Sequence, residues 1–244
     1  MRTARFFCDI INHDSHIVIS DVQFRHLTRV LRLKRGDSVE LFDGRGMVAQ
    51  AIIEKITKDS ALLRIRARNV FGARDKQRII IASSMAKGQK FETIVAACCQ
   101  LGVDRIMPII FERTVKQAQG TATVRRFESI AIESAKQCDR VFLPVVDKPM
   151  NFEKALANVP AEYSKAKIIF GSLAENTESI INFDCGSDDV IAFIGPEGGL
   201  TEAEENLLKK INAKAVRLTD TILRIETAAV AFAAILAAKR NARK

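Results

Sequence analysis

The sequence lacks the residue patterns that mark disulfide frameworks and metal sites. Its five cysteines include no pair with C-x-x-C spacing, and their odd number leaves one without a partner. We therefore predict reduced thiols and a cytoplasmic protein. The three histidines are few and lie far from most of the cysteines, so no metal site is expected. The cysteines are Cys8, Cys98, Cys99, Cys138 and Cys185.

Long apolar segments are also missing. The longest apolar run, from Ala228 to Ala238, has 11 residues, whereas a helix needs about 20 to cross a bilayer. The first residues reach Asp9 without the apolar region of a secretion signal. From these absences we expect neither a membrane segment nor a secretion signal.

The sequence does have an excess of positive charge. It contains 38 Lys+Arg against 29 Asp+Glu, which gives a formal net charge of +9 at pH 7. Apolar residues make up 48% of the 244 positions, enough for a substantial core. A basic balance of this size indicates a polyanionic partner, and nucleic acid is the commonest one for a globular protein.

The hydropathy pattern divides the chain into two predicted domains, with a boundary near residues 70–76. Residues 1–72 contain short strand-like segments and one helix, which is typical of a small β-barrel. Residues 73–244 alternate strands with helices, which predicts an α/β domain with a parallel sheet covered by helices. Strands are predicted over 5–9, 17–20, 38–43, 47–56, 61–68, 79–83, 105–110, 167–170, 190–194 and 215–218, and the main helices over 91–101, 125–137, 202–211 and 224–240.

The predicted helix of the first domain places arginines on one face. Arg25, Arg29 and Arg32 follow i, i+4, i+7 spacing, while apolar residues occupy the opposite face. We expect the apolar face to pack on the barrel and the guanidinium groups to contact phosphates, with a merely solvated arginine face as the alternative. The apolar face comprises Phe24, Leu27, Val30 and Leu31, and the other basic residues that favour the phosphate interpretation are Arg2, Arg5, Lys34, Arg35, Arg64, Arg66 and Arg68.

A glycine-rich turn joins a predicted strand to a predicted helix in the segment VIAFIGPEGGLTEAEE, residues 190–205. The apolar run predicts a buried strand, and the glycines let the backbone turn and approach a ligand closely. Thr201 and Glu204 have the spacing of a capping box, which indicates where the helix begins. We predict a small-molecule pocket here, with a simple tight turn as the alternative. The glycines are Gly195, Gly198 and Gly199.

Glycines before a helix also form phosphate loops, but the charges disfavour that interpretation. Glu197 lies inside the loop and further glutamates follow in the first helical turn, so we expect a pyrophosphate here to face carboxylates and no nearby lysine. The spacing is not G-x-G-x-x-G either, so a nicotinamide oxidoreductase is the least favoured enzyme class. A ligand with a cationic centre suits this turn better than a pyrophosphate.

A second candidate segment, LTDTILRIETAA at residues 218–229, follows a predicted strand and opens the last helix. Arg224 and Glu226 stand at this junction. They are too close along the chain to pair across a helical turn, so we expect them to have separate partners. The alanines that follow allow close helix packing, and an ordinary core helix is the alternative explanation.

These segments resemble one known family. GPEGGLTEAE, followed about twenty residues later by ILRIETAA, is similar to the C-terminal signature of the ribosomal RNA small subunit methyltransferase E family. The resemblance extends over nearly the whole chain. It includes RFF at 5–7, HLTRVLRLKRGD at 26–37, LFDGRG at 41–46, KGQKFETIVAACCQLGVDRIMPI at 87–109, Glu112-Arg113, and KQCDRVFLP at 136–144.

The resemblance implies a fold and an activity. The fold is a small PUA-like β-barrel domain for RNA binding, followed by a SPOUT-type α/β domain whose parallel sheet ends in a C-terminal trefoil knot. The activity is methyl transfer from S-adenosyl-L-methionine to N3 of a uridine in 16S ribosomal RNA of the small ribosomal subunit. The resemblance also implies a homodimer with the active site near the subunit interface.

The resemblance further assigns the cofactor to loops that follow three strands. In the second of the two signature loops this chain has Thr219 and Thr221, where glycine and arginine are usual in the family. The residues matched to cofactor binding are Phe170, Gly171, Gly195, Glu197, Gly198, Gly199, Leu218, Ile222 and Leu223.

Methylation of uracil N3 requires this weakly acidic N–H to ionise while negative charge spreads onto O2 and O4. We assign stabilisation of that charge to Arg224, as in an oxyanion hole. Arg140 or Arg113 is assigned to hold the base or its phosphates, and Glu226 to orient one of these guanidinium groups. The predicted RNA contacts are Arg5, Arg25, Arg29, Arg32 and Arg113.

Two alternatives stay open. A ribose 2′-O-methyltransferase of the same superfamily shares the donor and the knot, and only the position of the methyl group separates the two activities. A noncatalytic RNA-binding assembly factor keeps the basic barrel but needs no donor. The GPEGG and ILRIETA segments disfavour the second alternative.

Overall fold

The computed structural model describes residues 3–11, 14–72, 77–86, 88–115 and 121–243. These residues form two compact units. The first contains 3–11, 14–72 and 135–143, and the second contains 77–86, 88–115, 121–134 and 144–243. Arg2 and residues 73–76 of the predicted boundary lie outside the described residues, so the domain bounds stay a prediction.

A curled five-stranded sheet forms the first unit, with the spatial order β1-β3-β4-β5-β2. The pairs are antiparallel except β1 with β3, which is parallel. Alternation of apolar and polar residues along the strands sends one face into a core built around Phe6, Leu41 and Leu63. This sheet agrees with the predicted small barrel. The strands are β1 (Ala4–Phe7), β2 (His16–Ser20), β3 (Ser38–Phe42), β4 (Met47–Ile56) and β5 (Ser60–Val70).

The arginine-bearing helix of the first unit is shorter and less regular than predicted. Helix α1 (Asp21–Arg25) continues as a π-helical turn over His26–Val30, where the Leu31 amide donates to the carbonyl of His26. The wider turn breaks the 3.6-residue period on which the face assignment rested. The prediction that Val30 and Leu31 pack on the barrel is therefore wrong, since they are 67% and 40% exposed.

A parallel sheet forms the centre of the second unit, in the order β11-β13-β10-β12-β6-β7-β8, with β9 also paired to β7. All its pairings are parallel, which confirms the predicted α/β class. The strands are β6 (Ile79–Ser84), β7 (Arg105–Ile110), β8 (Val145–Val146), β9 (Met150–Asn151), β10 (Lys167–Gly171), β11 (Glu178–Ser179), β12 (Val190–Ile194) and β13 (Lys214–Arg217).

Helices cover both faces of this sheet because its central strands are apolar on both sides. One core joins Phe91 and Phe232 to the face that carries Ile81, and the other joins Phe152 and Leu208 to the opposite face. The helices are α2 (Lys90–Gln100), α3 (Thr121–Gln137), α4 (Phe152–Glu162), α5 (Glu202–Lys210) and α6 (Ile225–Asn241). The short strands β8, β9 and β11 and helix α4 were not predicted.

The crossovers of the sheet bring three loops to one edge. Strands β13, β10 and β12 are neighbours and parallel, so their carboxyl ends point the same way. Strand β13 lies between β10 and β11, although it follows both in the sequence. The residues that follow β10 and β11 contact the end of β13, since the amide of Ser172, directly after β10, donates to the Val216 carbonyl and the amide of Ile180, directly after β11, donates to the Arg217 carbonyl.

Candidate functional site

The predicted ligand loops converge at the carboxyl edge of the second unit's sheet. Phe170 is paired in register with Phe193, and Gly171 with Val216. The loops that follow β10, β12 and β13 therefore begin side by side. The residues predicted to bind the cofactor all lie in these loops or at the strand ends before them: Phe170, Gly171, Gly195, Glu197, Gly198, Gly199, Leu218, Ile222 and Leu223.

The turn after β12, which we call the glycine elbow (residues 195–201), has the geometry its sequence predicts. Gly199 has a φ of 73°, which disfavours a side chain. A Cβ on Gly195 would come within 2.9 Å of the Leu200 side chain. The capping box is confirmed, because the Thr201 hydroxyl accepts from the Glu204 amide at 3.3 Å and the Glu204 carboxylate accepts from the Thr201 amide at 2.8 Å.

Two cations from other elements reach the glycine elbow. Lys90 Nζ lies 3.0 Å from Glu197 Oε1, and Arg113 Nη1 donates to the Gly198 carbonyl at 2.7 Å. The prediction that no lysine is near the elbow is therefore wrong. Lys90 is the first residue of helix α2 and is 107 positions from Glu197, so no local sequence pattern could indicate the contact. Both side chains of the Lys90–Glu197 pair are substantially exposed, so it contributes less than about 1 kcal/mol to stability.

The loop after β13 is ordered by its own side chains. The Thr219 hydroxyl accepts from the Thr221 amide at 2.8 Å and lies 2.8 Å from the Thr221 hydroxyl. Arg217 ties this loop to the one after β10, since its Nη2 donates to the Ala174 carbonyl at 2.6 Å and its Nη1 contacts Asp220 at 3.3 Å. Two threonines thus stabilise a turn in which the family resemblance leads one to expect a glycine.

Arg224 and Glu226 stand at the start of helix α6, and within the described residues they form neither a hydrogen bond nor an ion pair with each other. Arg224 is the N-cap residue, and its side chain is exposed without a partner in the described part of the chain. The Oε2 atom of Glu226 is buried and accepts no hydrogen bond from any described residue. The Arg224 guanidinium and the Glu226 Oε2 atom are therefore both available to a ligand. This agrees with the expectation that the two residues have separate partners.

The predicted RNA-binding arginines of the first unit differ in exposure. Arg25, Arg29 and Arg32 are exposed, and none has an ion pair within the described ranges. Arg5 is buried, with Nε 2.6 Å from Glu40 and Nη1 donating to the Ala135 carbonyl at 3.0 Å. Little of the Arg5 guanidinium is left for a phosphate, and its predicted RNA contact stays a prediction.

Arg140 also belongs to the first unit and is buried. Its Nε donates to the Phe142 carbonyl, and its own carbonyl accepts from Arg5 at 3.3 Å. Its predicted role in catalysis is not tested by these contacts. Arg113, by contrast, lies in the second unit beside the glycine elbow and is exposed.

Sequence patterns missed one buried group at this edge. Glu204 was predicted only as part of a helix cap, yet its second carboxylate oxygen accepts from the Glu112 amide at 2.8 Å. Glu112 and Glu204 are 92 positions apart, so no local pattern links them. In the described parts of the chain no cluster of three metal-binding side chains occurs, and no helix there has the length and apolarity needed to cross a membrane.

The fold and the candidate site define an α/β protein that presents ligand loops at the carboxyl edge of a parallel sheet and carries a separate unit with exposed arginines. A family model described as an RNA methyltransferase domain matches residues 73–237, and one described as an RNA methyltransferase PUA domain matches residues 19–66. The chain belongs to this RNA methyltransferase family and, within it, to the ribosomal RNA small subunit methyltransferase E family, as its sequence motifs predicted.

Curated relatives carry the same family name. The ribosomal RNA small subunit methyltransferase E of Synechocystis is 29% identical over 221 residues, covering 88% of this chain and 70% of that protein. The Bacillus subtilis protein of the same name is 27% identical over 219 residues, covering 86% and 85% of the two chains. The similarity extends along most of both proteins in each case.

Solved structures are also similar. The ribosomal RNA small subunit methyltransferase E of Neisseria gonorrhoeae, bound to S-adenosyl methionine, has a TM-score of 0.85 at 28% identity, covering 96% of this chain and 97% of that one. A methyltransferase structure from Legionella pneumophila in complex with the bound cofactor SAM has a TM-score of 0.89 at 25% identity, covering 98% of each chain. The cofactor prediction agrees with both structures.

Proposed function

We propose that the protein transfers a methyl group from S-adenosyl-L-methionine to N3 of a uridine in 16S ribosomal RNA of the small ribosomal subunit. The observation that carries this proposal is the convergence of the three loops after β10, β12 and β13, with Arg224 exposed at the start of the next helix. The name that the curated relatives have in common supports ribosomal RNA as the substrate.

The residues at the sheet edge fit such a donor. Gly199 presents backbone without a side chain and with open space around it, so a ligand can approach the elbow closely there. The buried Glu226 Oε2 is an acceptor that lacks a partner in the described chain. Glu197 adds a second carboxylate, which Lys90 contacts through Oε1 only. Acceptors and negative charge suit a ligand with hydroxyl and amine groups and a sulfonium centre.

When bound, S-adenosylmethionine supplies a methyl group that an in-line displacement can pass to N3 as the carbon–sulfur bond breaks. The protein must align the two reactants and favour loss of the N3 proton, which leaves for solvent or a carboxylate. Arg224 stabilises the charge that develops on the uracil oxygens, because its guanidinium is exposed and unpaired within the described residues. Arg113 or Arg140 holds the base or its phosphates, and Glu226 orients one of these guanidinium groups.

The target base must leave any duplex, because pairing hides the N3 edge. We assign phosphate contacts to the exposed arginines of the first unit, Arg25, Arg29 and Arg32. We also propose Arg5 as an RNA contact, although it is less exposed than these three arginines. These contacts predict binding that weakens steeply with salt.

We also propose the family's trefoil knot and homodimer for this chain. The knot is supported by the position of β13 between β10 and β11, which are already joined by residues 172–177. The dimer is supported by exposed apolar residues in the ligand loops, since Ile222 is 80% and Leu173 is 49% exposed. Light scattering on the purified protein tests the dimer, and a monomer at micromolar concentration contradicts it.

The experiment that tests the activity uses labelled S-adenosylmethionine and small subunits from cells that lack this gene. After digestion of the RNA, mass spectrometry identifies the methylated nucleoside. N3-methyluridine supports the proposal, and a 2′-O-methylated nucleoside supports the ribose methyltransferase instead. Absence of donor binding in calorimetry supports the noncatalytic RNA-binding factor.

A further inference from the structure

The buried carboxylate of Glu204 joins two separate segments at the carboxyl edge of the sheet. The residue is 5% exposed. Its Oε2 accepts from the Thr201 amide at 2.8 Å, at the end of the glycine elbow. Its Oε1 accepts from the Glu112 amide at 2.8 Å, in the turn that follows β7. A helix cap uses only the first bond, so the second has another role.

The turn at residues 111–114, which we call the β7 turn, is fixed on its other side as well. The Thr114 hydroxyl accepts from the Phe111 amide at 2.9 Å and lies 3.0 Å from the hydroxyl of Ser84 at the end of β6. A rigid turn cannot absorb a shift at Glu112 by local adjustment. The carboxylate of Glu204 therefore sets the distance between this turn and the elbow.

The same two segments meet a second time through Arg113. Its Nη1 donates to the Gly198 carbonyl at 2.7 Å, within the glycine elbow. Arg113 follows Glu112 directly, so the direction of its side chain depends on where the Glu112 amide is held. The Glu204 bond and the Arg113 bond thus close a ring that passes through the β7 turn and the elbow.

The two hydrogen bonds that Glu204 accepts are stronger than ordinary backbone hydrogen bonds. A hydrogen bond to a charged acceptor in a water-poor site is about twice as strong as a neutral one, and an amide left without its acceptor there is costly. In Glu204→Gln one carboxylate oxygen becomes an NH2 group, which is a donor and cannot accept from the backbone amide of Glu112 or Thr201 that faces it. Such a change loosens one segment relative to the other without removing volume from the core.

We propose that Glu204 is a positioning residue that holds the β7 turn against the glycine elbow and thereby sets the affinity for the methyl donor. This inference rests on the proposed function, because the elbow is assigned there to the donor. Glu204 acts through the backbone of Thr201 and Glu112 and through Arg113. It contacts neither reacting group.

The test compares three variants of the full-length protein. Glu204→Gln keeps the size of the side chain and loses one of the two backbone bonds. Glu202→Gln removes the same charge from the same helical turn at an exposed position. Thr201→Ala removes the other half of the capping box and leaves both carboxylate bonds in place. Donor affinity is measured by calorimetry with S-adenosylmethionine, and amide protection by hydrogen exchange.

We expect Glu204→Gln to raise the donor Kd about tenfold, equivalent to ~1.4 kcal/mol, and to speed exchange at the amide of Glu112 or Thr201. The kcat at saturating donor should stay within about twofold of wild type, because the reacting groups are untouched. Glu202→Gln should bind donor within about twofold of wild type, and Thr201→Ala, which alters the elbow only through the helix cap, should weaken donor binding less than Glu204→Gln does. If Glu204→Gln weakened donor binding only by destabilising the whole protein, Thr201→Ala should weaken donor binding as much as Glu204→Gln.

An unchanged donor Kd for Glu204→Gln overturns the inference while leaving the proposed function intact. Unchanged protection of both amides also overturns it, whatever the donor affinity. If the wild-type protein binds no donor, the proposed function fails and the inference about affinity fails with it. Wild-type calorimetry therefore separates the two failures.

Discussion

Arg5 Nη1 donates a hydrogen bond of 3.0 Å to the carbonyl of Ala135, and this bond connects the first strand to the last turn of helix α3. The guanidinium also contacts Glu40 at 2.6 Å and lies 4.5 Å from the ring centre of Phe42. Residues 135–143 are therefore part of the first unit, although they are far from it in the sequence. Arg5 has a structural role that its position in a basic segment did not indicate.

Replacing Arg5 by Met should destabilise the first unit. The substitution removes the donor to the Arg140 carbonyl and one of the two donors to the Ala135 carbonyl. It also takes the positive charge away from the partly buried Glu40 carboxylate, and the combined cost is about 2 kcal/mol. Urea unfolding monitored by hydrogen exchange in β1 measures the effect. Arg25→Met is the matched control, because Arg25 is exposed and has no ion pair among the described residues. Equal stability of the two variants would show that the Arg5 contacts contribute nothing.

Removing Arg25 and Arg29 together should weaken RNA binding in a salt-dependent way. Each phosphate that is no longer neutralised reduces the slope of log K against log salt by about 0.7 to 0.9. The double alanine variant should therefore lower the slope by about 1.4 to 1.8, measured by fluorescence anisotropy with a labelled uridine-containing RNA. Lys209→Ala with Lys210→Ala removes the same charge from the second unit. If both double variants lower the slope equally, Arg25 and Arg29 have no specific part in binding.

Replacing Arg224 by Ala should lower turnover and leave the donor bound. Loss of one charge-stabilising donor typically reduces kcat about 10²- to 10³-fold. The side chain is exposed, so the thermal midpoint should change little. Methyl transfer at saturating donor and RNA gives kcat, and calorimetry gives the donor Kd. Arg224→Lys, which keeps the charge, should restore part of the rate. Full turnover in the alanine variant contradicts the assignment.

The thiols should react in order of burial. Cys185 is fully buried, and burial raises the pKa of its thiol above the ordinary value. Burial likewise raises the pKa of the half-buried Cys8. A raised pKa means less thiolate at any given pH, so alkylation of Cys8 should still increase above pH 9, while Cys185 should react only after unfolding. Mass spectrometry after timed alkylation reports both rates. A plateau for Cys8 below pH 9 contradicts the prediction.

Much of the fold follows from local patterns. The bounds of β4, β7 and β12 coincide with those predicted, because each is a continuous or alternating apolar run between turn residues. The strands β8, β9 and β11 have two residues each, too few for any period to be detected. Helix α4 contains Pro160 near its end, a residue that disfavours a helix interior and obscures the pattern.

The site is only partly readable from the sequence. Local motifs identified the glycine elbow and its capping box, since both are made of neighbouring residues. The contacts that hold the elbow could not be found in this way, because Lys90 and Arg113 reach it from positions 107 and 85 residues away. The π-helical turn after Arg25 was not predicted, because it is wider than the 3.6-residue turn of the α-helix on which the sequence pattern was based.

The placement of β13 between β10 and β11 has a consequence for synthesis of the chain. Strand β10 is complete by Gly171, but its partner on one side begins only at Lys214, after helix α5 has been made. A nascent chain that has emerged only as far as residue 213 leaves that edge of β10 without its strand, and unpaired edges invite pairing with other chains. The candidate site is therefore among the last parts of the molecule to be assembled.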